Sequence, residues 1–257
     1  MKKLYKYLLN TLPRPLLIRL SYVFRVFAPL VYKGNKVDCP VCEKSFRKFL
    51  SYGSNVAHRD NVLCPYDLTL ERHRLMWSYL KDRSNFFTEE KLKVMHIAPE
   101  QCFYGLFKKQ TNLEYTTGDL LSPLADIHFD LHKIPLEDNQ YDVIFCNHVL
   151  EHVEDDHKCM TELHRIMNSG GWGIFQVPID TSRPETYEDA SIVSPEEREK
   201  HFWQYDHVRL YGLDYPKKLE AAGFEVEIYD YHKDMPKEQY EKYRFHTDEL
   251  LYIVKKK

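Results

Sequence analysis

Glycine is scarce in this chain, with nine in 257 residues, and no G-x-G-x-x-G stretch occurs. A dinucleotide loop, in which glycines let backbone N–H groups cradle a pyrophosphate, is therefore missing. Charge of one sign is also in short supply. The net charge of −3 gives no general pull toward nucleic acid or anionic membranes, so any basic surface must be local. No apolar run is long and clean enough to span a bilayer, since Pro15–Tyr32 contains Arg19 and Arg25. No cleavage site follows it, so neither a signal peptide nor a spanning helix is expected. Six cysteines in a chain of cytoplasmic character suggest metal ligands and buried thiols before disulfides. What remains is a globular composition, 43% apolar and 29% charged, long enough for one substantial domain and a small appendage.

Three regions are expected: a basic amphipathic helical arm over 1–35, a zinc-ribbon-like unit over 36–74, and an enzymatic domain over 75–257. In the arm, Lys2, Lys3, Lys6, Arg14, Arg19 and Arg25 are interleaved with Leu, Ile, Phe, Tyr and Val. Pro13, Pro15 and Pro29 are expected to break it into short helices. Residues 1–33 read either as a peripheral contact with the inner face of an anionic membrane or as an arm packed on the protein body. In the second region, Cys39-Pro40-Val41-Cys42 is a C-x-x-C knuckle, and Cys64-Pro65-Tyr66-Asp67 repeats its form with an acid in the last place. Two knuckles that bring four ligands together resemble a zinc ribbon. Asp67 is one candidate for the fourth ligand, with His58 and His73 as alternatives. A pair of buried thiols without metal is the competing reading. Arg72-His73-Arg74 reads as surface or hinge contacts.

From Lys91 onward the pattern alternates strand and helix. Strands are expected at Lys93–Ala98, Leu113–Thr117, Asp126–Phe129, Tyr141–Cys146 and Trp172–Val177. Helices are expected at Cys102–Gln110 and Asp155–Asn168, the latter stopped by Ser169-Gly170-Gly171, and later strands at Phe224–Tyr229 and Leu250–Val254. Such alternation predicts an α/β fold with a mostly parallel, doubly wound sheet. Ligands of such sheets sit beyond the carboxyl ends of the strands. Three successive strands end there in an acid: Glu100, Asp119 and Asp130. A carboxylate after the second strand suits the two hydroxyls of a ribose, one after the third accepts from an adenine amine, and one after the first meets an ammonium. Pro99 has no N–H to offer a phosphate, and acids would repel one. The set matches an adenosyl ligand bearing a positive amino acid.

The stretches His96–Glu100 (HIAPE), Gly118–Leu120 (GDL), Tyr141–Val153 (YDVIFCNHVLEHV) and Leu163–Pro178 (LHRIMNSGGWGIFQVP) resemble the class I S-adenosylmethionine-dependent methyltransferases. The ribbon followed by Arg72-His73-Arg74 resembles a subgroup of bacterial members, with a cysteine expected where Asp67 stands. The resemblance implies a Rossmann-like seven-stranded sheet ending in an antiparallel hairpin, with S-adenosyl-L-methionine as cofactor. It departs at the first loop, where Ala98-Pro99 replaces the usual glycines. Carried over by position, Glu100 meets the methionine amine and Asp119 the ribose. Leu120 packs on adenine, Asp130 and the Leu131 backbone read its edge, and Ala98, Asn147 and His148 line the methionine side. For each acid taken singly, the competing reading is a cap on the following helix.

The catalytic surface is expected after the fifth strand, where His201–Gly212 (HFWQYDHVRLYG) is dense in polar and aromatic side chains. His207 is the candidate general base, with Asp206 or Glu151 orienting it, and Arg209 the candidate holder of an acidic substrate group. Against this stands an ion-paired lid with no proton-transfer role. His148–His152 (HVLEH) also spells H-x-x-E-H, a zinc-peptidase signature that requires one helical face. The expected function is methyl transfer to an O, N or C nucleophile of a small-molecule or envelope-related acceptor. The alternatives are a non-catalytic adaptor on the same scaffold and the H-x-x-E-H zinc peptidase.

Overall fold

The computed structural model describes residues 12–53, 58–246 and 249–257, leaving out the side chains of Arg14, Pro15, Ile18 and Tyr22. Lys2, Lys3 and Lys6 of the arm lie outside the described residues. The chain divides into two compact units. One takes the described residues within Met1–Trp77 and Met235–Thr247, the other Ser78–Asp234 and Asp248–Lys257.

The first unit opens with helix α1, Arg14–Tyr32. The expected break at Pro29 does not occur. Pro13 is the N-cap and Pro15 lies in the first turn, where helix N–H groups have no intrahelical partner, and Pro29 falls inside the helix close to its end. Two short hairpins follow, β1 (Lys33–Cys39) with β2 (Lys44–Phe46), and β3 (Leu50–Tyr52) with β4 (Arg59–Leu63), both antiparallel. Helix α2, Glu71–Asp82, carries Arg74, which is fully buried rather than a surface contact. Its Nη1 donates to the carbonyls of Val62 and Thr69, both at 2.8 Å, and its Nε donates to that of Tyr243 at 2.7 Å. The guanidinium lies 4.5 Å from the centre of the Phe49 ring. With so little apolar core, a unit of this size needs such internal ties or a metal.

The second unit is built on β5 (Leu92–Ile97), β6 (Leu113–Asp119), β7 (Ile127–His128), β8 (Tyr141–Asn147), β9 (Met167–Gln176), β12 (Glu225–Tyr229) and β13 (Leu251–Lys255). They form one seven-stranded sheet in the order β12-β13-β9-β8-β5-β6-β7. Pairing is parallel from β9 through β7 and antiparallel where β13 enters between β9 and β12. The mostly parallel sheet expected from the alternation is therefore present, with the seven strands and antiparallel hairpin that the resemblance implies. Strand β8 shows why it sits centrally: Val143, Ile144, Phe145 and Cys146 are all fully buried, as a strand covered on both faces must be. Ile144 and Cys146 join Met160, Leu163, Phe175 and Tyr215 in one apolar layer. Phe145 belongs to an aromatic layer with Phe86, at 5.3 Å between ring centres, and Phe107, at 5.9 Å.

Helix α3, Gln101–Phe107, follows β5, and α4, Asp156–Ile166, follows β8. Helix α4 is started by the Asp155 carboxylate, which accepts from the Lys158 N–H. Its Cys159, Met160, Leu163 and Ile166 face the core. The helix ends before the glycines expected to stop it. Met167 is the C-cap and also the first residue of β9, and the Lys256 ammonium donates to the carbonyls of His164 and Met167, both at 2.9 Å. Gly170, at φ +80°, lies inside the strand. Beyond β9 come β10 (Tyr187–Glu188), α5 (Pro195–Phe202), β11 (Arg209–Leu210) and α6 (Tyr215–Ala221). Helix α5 is capped by Ser194, whose hydroxyl accepts from the Glu197 N–H.

Candidate functional site

Every parallel strand from β8 to β7 delivers its carboxyl end to the same edge of the sheet. Glu100, Asp119 and Asp130 follow β5, β6 and β7, which are neighbours in that order. Glu100 is the N-cap residue of α3, yet its side chain makes no capping bond. The carboxylate is held instead from two sides. Its Oε2 meets the Nε2 of His96, and its Oε1 accepts from the Asn147 side chain at 3.2 Å. His96 is fully buried, and its other nitrogen contacts the Tyr115 hydroxyl at 2.8 Å. A Tyr115–His96–Glu100–Asn147 chain thus fixes the first acid and joins the ends of β5 and β8. The residues missed from the sequence were His96 and Tyr115, and the signal was a histidine inside an otherwise apolar strand.

Asp119 ends β6, and its Oδ1 accepts from the N–H groups of Leu121 at 2.7 Å and Ser122 at 2.6 Å. One carboxylate oxygen therefore shapes its own turn, and the element that follows β6 is β7, not a helix for it to cap. Leu120, next to it, is 60% exposed, a large apolar surface beside a carboxylate at the strand end. Asp130 is exposed. The N–H and the ring of His132 contact its Oδ1 at 2.9 and 2.6 Å and hold its carboxyl below the usual carboxylate range. Leu131 is buried. At Gly118 a Cβ would stand 2.5 Å from the Phe129 ring, so the glycine of GDL permits close packing beneath the acid. Ala98 and His148, the residues directly after β5 and β8, have φ of +49° and +54°.

A second cluster forms where the turn after β8 meets the loop between α5 and β11. The N–H of Val208 donates to the Glu151 carbonyl at 2.9 Å, sewing the two segments together. Glu151 and His207 are each only 1% exposed. The Glu151 Oε1 contacts His148 Nδ1 at 3.2 Å. Burial works against ionisation of Glu151, but His148 and His152 more than offset it and hold the carboxyl below its ordinary value. His207 Nδ1 lies 2.9 Å from the Phe202 carbonyl, so Nδ1 carries the proton and Nε2 the lone pair. Burial lowers its pKa and keeps the ring neutral. The His152 and His207 rings meet edge to face, 4.7 Å apart.

The remaining expectations fare differently. Asp206 pairs with His152, its Oδ2 lying 3.4 Å from Nδ1, and His207 is oriented by the Phe202 carbonyl. Arg209 is 2% exposed, and its guanidinium donates to the carbonyls of Leu150, Val153 and Glu154. Its Nε faces Asp156 and Glu188 at 3.6 and 3.2 Å. It fastens the 150–154 turn and has no free fork for a substrate acid. The peptidase motif fails on geometry. His148 follows a strand in left-handed conformation and 149–155 is turn and loop, so no helix presents His148 and His152 on one face.

In the first unit Cys39, Cys42, Cys64 and Asp67 place one ligand atom each within 4.8 Å of the others. The two knuckles share one geometry. The Glu43 N–H donates to the Cys39 carbonyl at 2.9 Å and the Leu68 N–H to the Cys64 carbonyl at 3.0 Å, with φ of +57° at Glu43 and +62° at Leu68. Asp67 thus stands where Cys42 stands in the first knuckle. Its Oδ1 accepts from the Thr69 hydroxyl at 2.7 Å, and its Oδ2 lies 3.0 Å from Cys39 Sγ. Of the alternatives, His58 contacts Asp60 at 3.3 Å, and His73 Nδ1 accepts from the Leu70 N–H at 3.1 Å.

Residues 97–175 match a family model described as a methyltransferase domain. The chain is similar in structure to a SAM dependent methyltransferase from Archaeoglobus fulgidus at 16% identity, covering 71% of this chain and 93% of that one with a TM-score of 0.46. It is also similar to the YcgJ protein from Bacillus subtilis (12% identity, 72% and 99% covered, TM-score 0.45). A third is the [4+2]-cyclase SpnF (12% identity, 92% and 94% covered, TM-score 0.48). At such scores these stand as similarities only. No curated protein matches the sequence.

Proposed function

We propose that this chain, whose residues 97–175 match a methyltransferase-domain model, is an S-adenosylmethionine-dependent methyltransferase that passes the methyl group to an O, N or C nucleophile of a small-molecule or envelope-related acceptor. The observation that carries the cofactor assignment is the row of Glu100, Asp119 and Asp130 at the ends of three adjacent parallel strands. Glu100, steadied by His96 and Asn147, receives the methionine ammonium. Asp119 receives the ribose hydroxyls, the exposed Leu120 covers adenine, and Asp130 with the Leu131 backbone reads its edge. Ala98, Asn147 and His148 line the methionine end.

Bound there, the cofactor would supply an electrophilic methyl group on a positively charged sulfur that can leave as a neutral thioether. The chain's own residues supply position and exclude water. Titration calorimetry with S-adenosylmethionine tests the reading. Binding that weakens at least tenfold in Asp119→Ala supports it, and no binding by the intact chain returns it to a non-catalytic adaptor.

Two accessory features belong to this reading. The matched geometry of the two knuckles suits one structural zinc on Cys39, Cys42, Cys64 and Asp67, since zinc accepts thiolate and carboxylate alike in a tetrahedral set. Helix α1 suits peripheral contact with an anionic membrane. Leu16, Leu20, Val23, Phe27 and Leu30 are all exposed along it, and no acidic residue precedes Asp38. No helix among the described residues is long and apolar enough to cross a membrane.

A further inference from the structure

Among the described residues, Glu151 Oε2, His207 Nε2 and His148 Nε2 are buried side-chain atoms with no hydrogen-bond partner. All three are acceptors or ring nitrogens of one cluster, the one formed by the turn after β8 and the loop before β11. Leaving even one buried polar atom unmade costs about 1–3 kcal/mol, so several in one place call for a missing partner. A cation is the partner that fits. Glu151, His152 and His207 each bring one ligand atom within 4.8 Å of the others. A tetrahedral site with bonds of about 2.1 Å needs ligand atoms roughly 3.4 Å apart, a gap that rotation about side-chain bonds closes.

The ligands are also prepared as metal ligands are. His207 gives its Nδ1–H to a backbone carbonyl at 2.9 Å, which presents a neutral Nε2 lone pair inward. His152 is tethered through Nδ1 to Asp206, with the Asp206 carbonyl at 3.3 Å and Oδ2 at 3.4 Å. Such outer partners fix the tautomer and ring orientation of ligating histidines. Glu151 spends Oε1 on His148 at 3.2 Å and leaves Oε2 unused. We propose that Glu151, His152 and His207 bind a divalent transition-metal ion of the zinc class, with His148 beside it.

Two histidines and a glutamate leave open positions on such an ion. The cluster adjoins the end of β8, where the methyl group is delivered if the proposed function holds. On that reading the open positions take an acceptor oxygen, so the acceptor class is one whose hydroxyl or enol oxygen can ligate metal. The metal site itself does not depend on the methyltransferase reading, and the two are tested separately.

The full chain, stripped with chelator and dialysed against Co²⁺ or Zn²⁺, should bind a metal equivalent that lacks the sulfur-to-cobalt charge-transfer absorption of a thiolate site. His207→Gln and Glu151→Gln should each lose that equivalent while S-adenosylmethionine binding, measured on the same samples, stays within about twofold. If either variant fails to fold, His152→Gln, whose side chain is only partly buried, should show the same loss. Unchanged metal content in the folded variants would overturn the site, as would metal found only on the cysteines. Loss of turnover in His207→Gln without loss of metal would leave a general base there instead. Loss of S-adenosylmethionine binding by the intact chain with metal retained would count against the proposed function and leave the metal site standing.

Discussion

Ala98 and His148 end two neighbouring strands in the same unusual way. Ile97 pairs with Cys146 where β5 and β8 lie side by side, and just beyond them Ala98 and His148 turn with φ near +50° (+49° and +54°). For a residue with a Cβ this conformation costs roughly 1–2 kcal/mol. It is sustained by local bonds: the Ala98 N–H donates to the Gly118 carbonyl at 2.8 Å and the His148 N–H to the Gln176 carbonyl at 2.7 Å. Strain of this kind collects where a ligand is held. Ala98→Gly should therefore raise stability by about 0.5–1 kcal/mol, and Ala98→Val should lower it. Urea denaturation midpoints check both, and a less stable glycine variant would refute the strain.

Arg209 predicts a large effect from a residue away from the cofactor crevice. Its guanidinium serves the carbonyls of Leu150, Val153 and Glu154 and faces Asp156. Replacement by methionine keeps the length of the side chain but leaves these carbonyls unmet and weakens the neutralisation of a buried carboxylate. Arg209→Met should cost about 3 kcal/mol, and Arg209→Lys should recover only part of it, because an ammonium cannot span the same forked set. Thermal unfolding of the three proteins measures this. A loss below about 1 kcal/mol would mean the turn is held by other contacts.

Asp156 carries an acid-side prediction. Burial opposes its charge, but Arg209, the Tyr211 hydroxyl at 2.8 Å and Lys218 at 3.2 Å reverse that and depress its pKa. A carboxylate depressed in the folded state contributes stability that is complete above its unfolded value, near pH 4, and is lost as pH falls through the lower folded value. Asp156→Asn should be less stable at neutral pH and show a shallower loss between about pH 4 and pH 2. Parallel acid limbs for the two proteins would exclude this group as a source of acid lability.

Much of this was readable beforehand, for physical reasons that differ by element. Val143, Ile144 and Phe145 announced a strand covered on both faces because consecutive apolar residues leave no side for water. The position of the acids at 100, 119 and 130 at or just past the ends of three adjacent strands was legible because the strands before them were. The start of β9 at Met167 was not legible. It depends on an ammonium almost ninety residues later, Lys256, which closes the end of α4. Arg209 was misread for the same reason. Its partners are carbonyls between 55 and 59 positions away, and carbonyls have no signature in a sequence. His96 was passed over because a lone histidine in a strand does not reveal whether it supports a neighbour such as Glu100.

The knuckles predict a gain of function in metal binding. Asp67 occupies the place of the second cysteine in its knuckle, with matching turn bonds in both knuckles. Asp67→Cys should complete a four-thiolate set without moving the backbone. Cobalt titration should then show stronger sulfur charge transfer and an affinity at least tenfold tighter, since thiolate suits these ions better than carboxylate does. Asp67→Ala should weaken binding. Equal affinity in all three proteins would remove Asp67 from the ligand set.

Helix α1 gives the last prediction. Leu16, Leu20, Val23, Phe27 and Leu30 recur at intervals of four and three residues, and all are exposed, so they share one face. Arg25 is tied inward by its bond to the Tyr66 carbonyl at 2.5 Å, which leaves the exposed Arg19, Lys33 and Lys36 to meet an anionic surface. Burying each large apolar side chain is worth about 1.5–3 kcal/mol, so replacing two of them with acids opposes both attractions at once. Leu20→Glu with Phe27→Glu should release the protein from vesicles of acidic phospholipid, with partitioning down more than tenfold, and raising the salt should mimic part of that loss. Wild-type protein should sediment far less with purely zwitterionic vesicles. If it sediments with neither, the membrane assignment falls. Concentration-dependent dimers abolished by the same double substitution would show that a second copy of this chain covers the stripe.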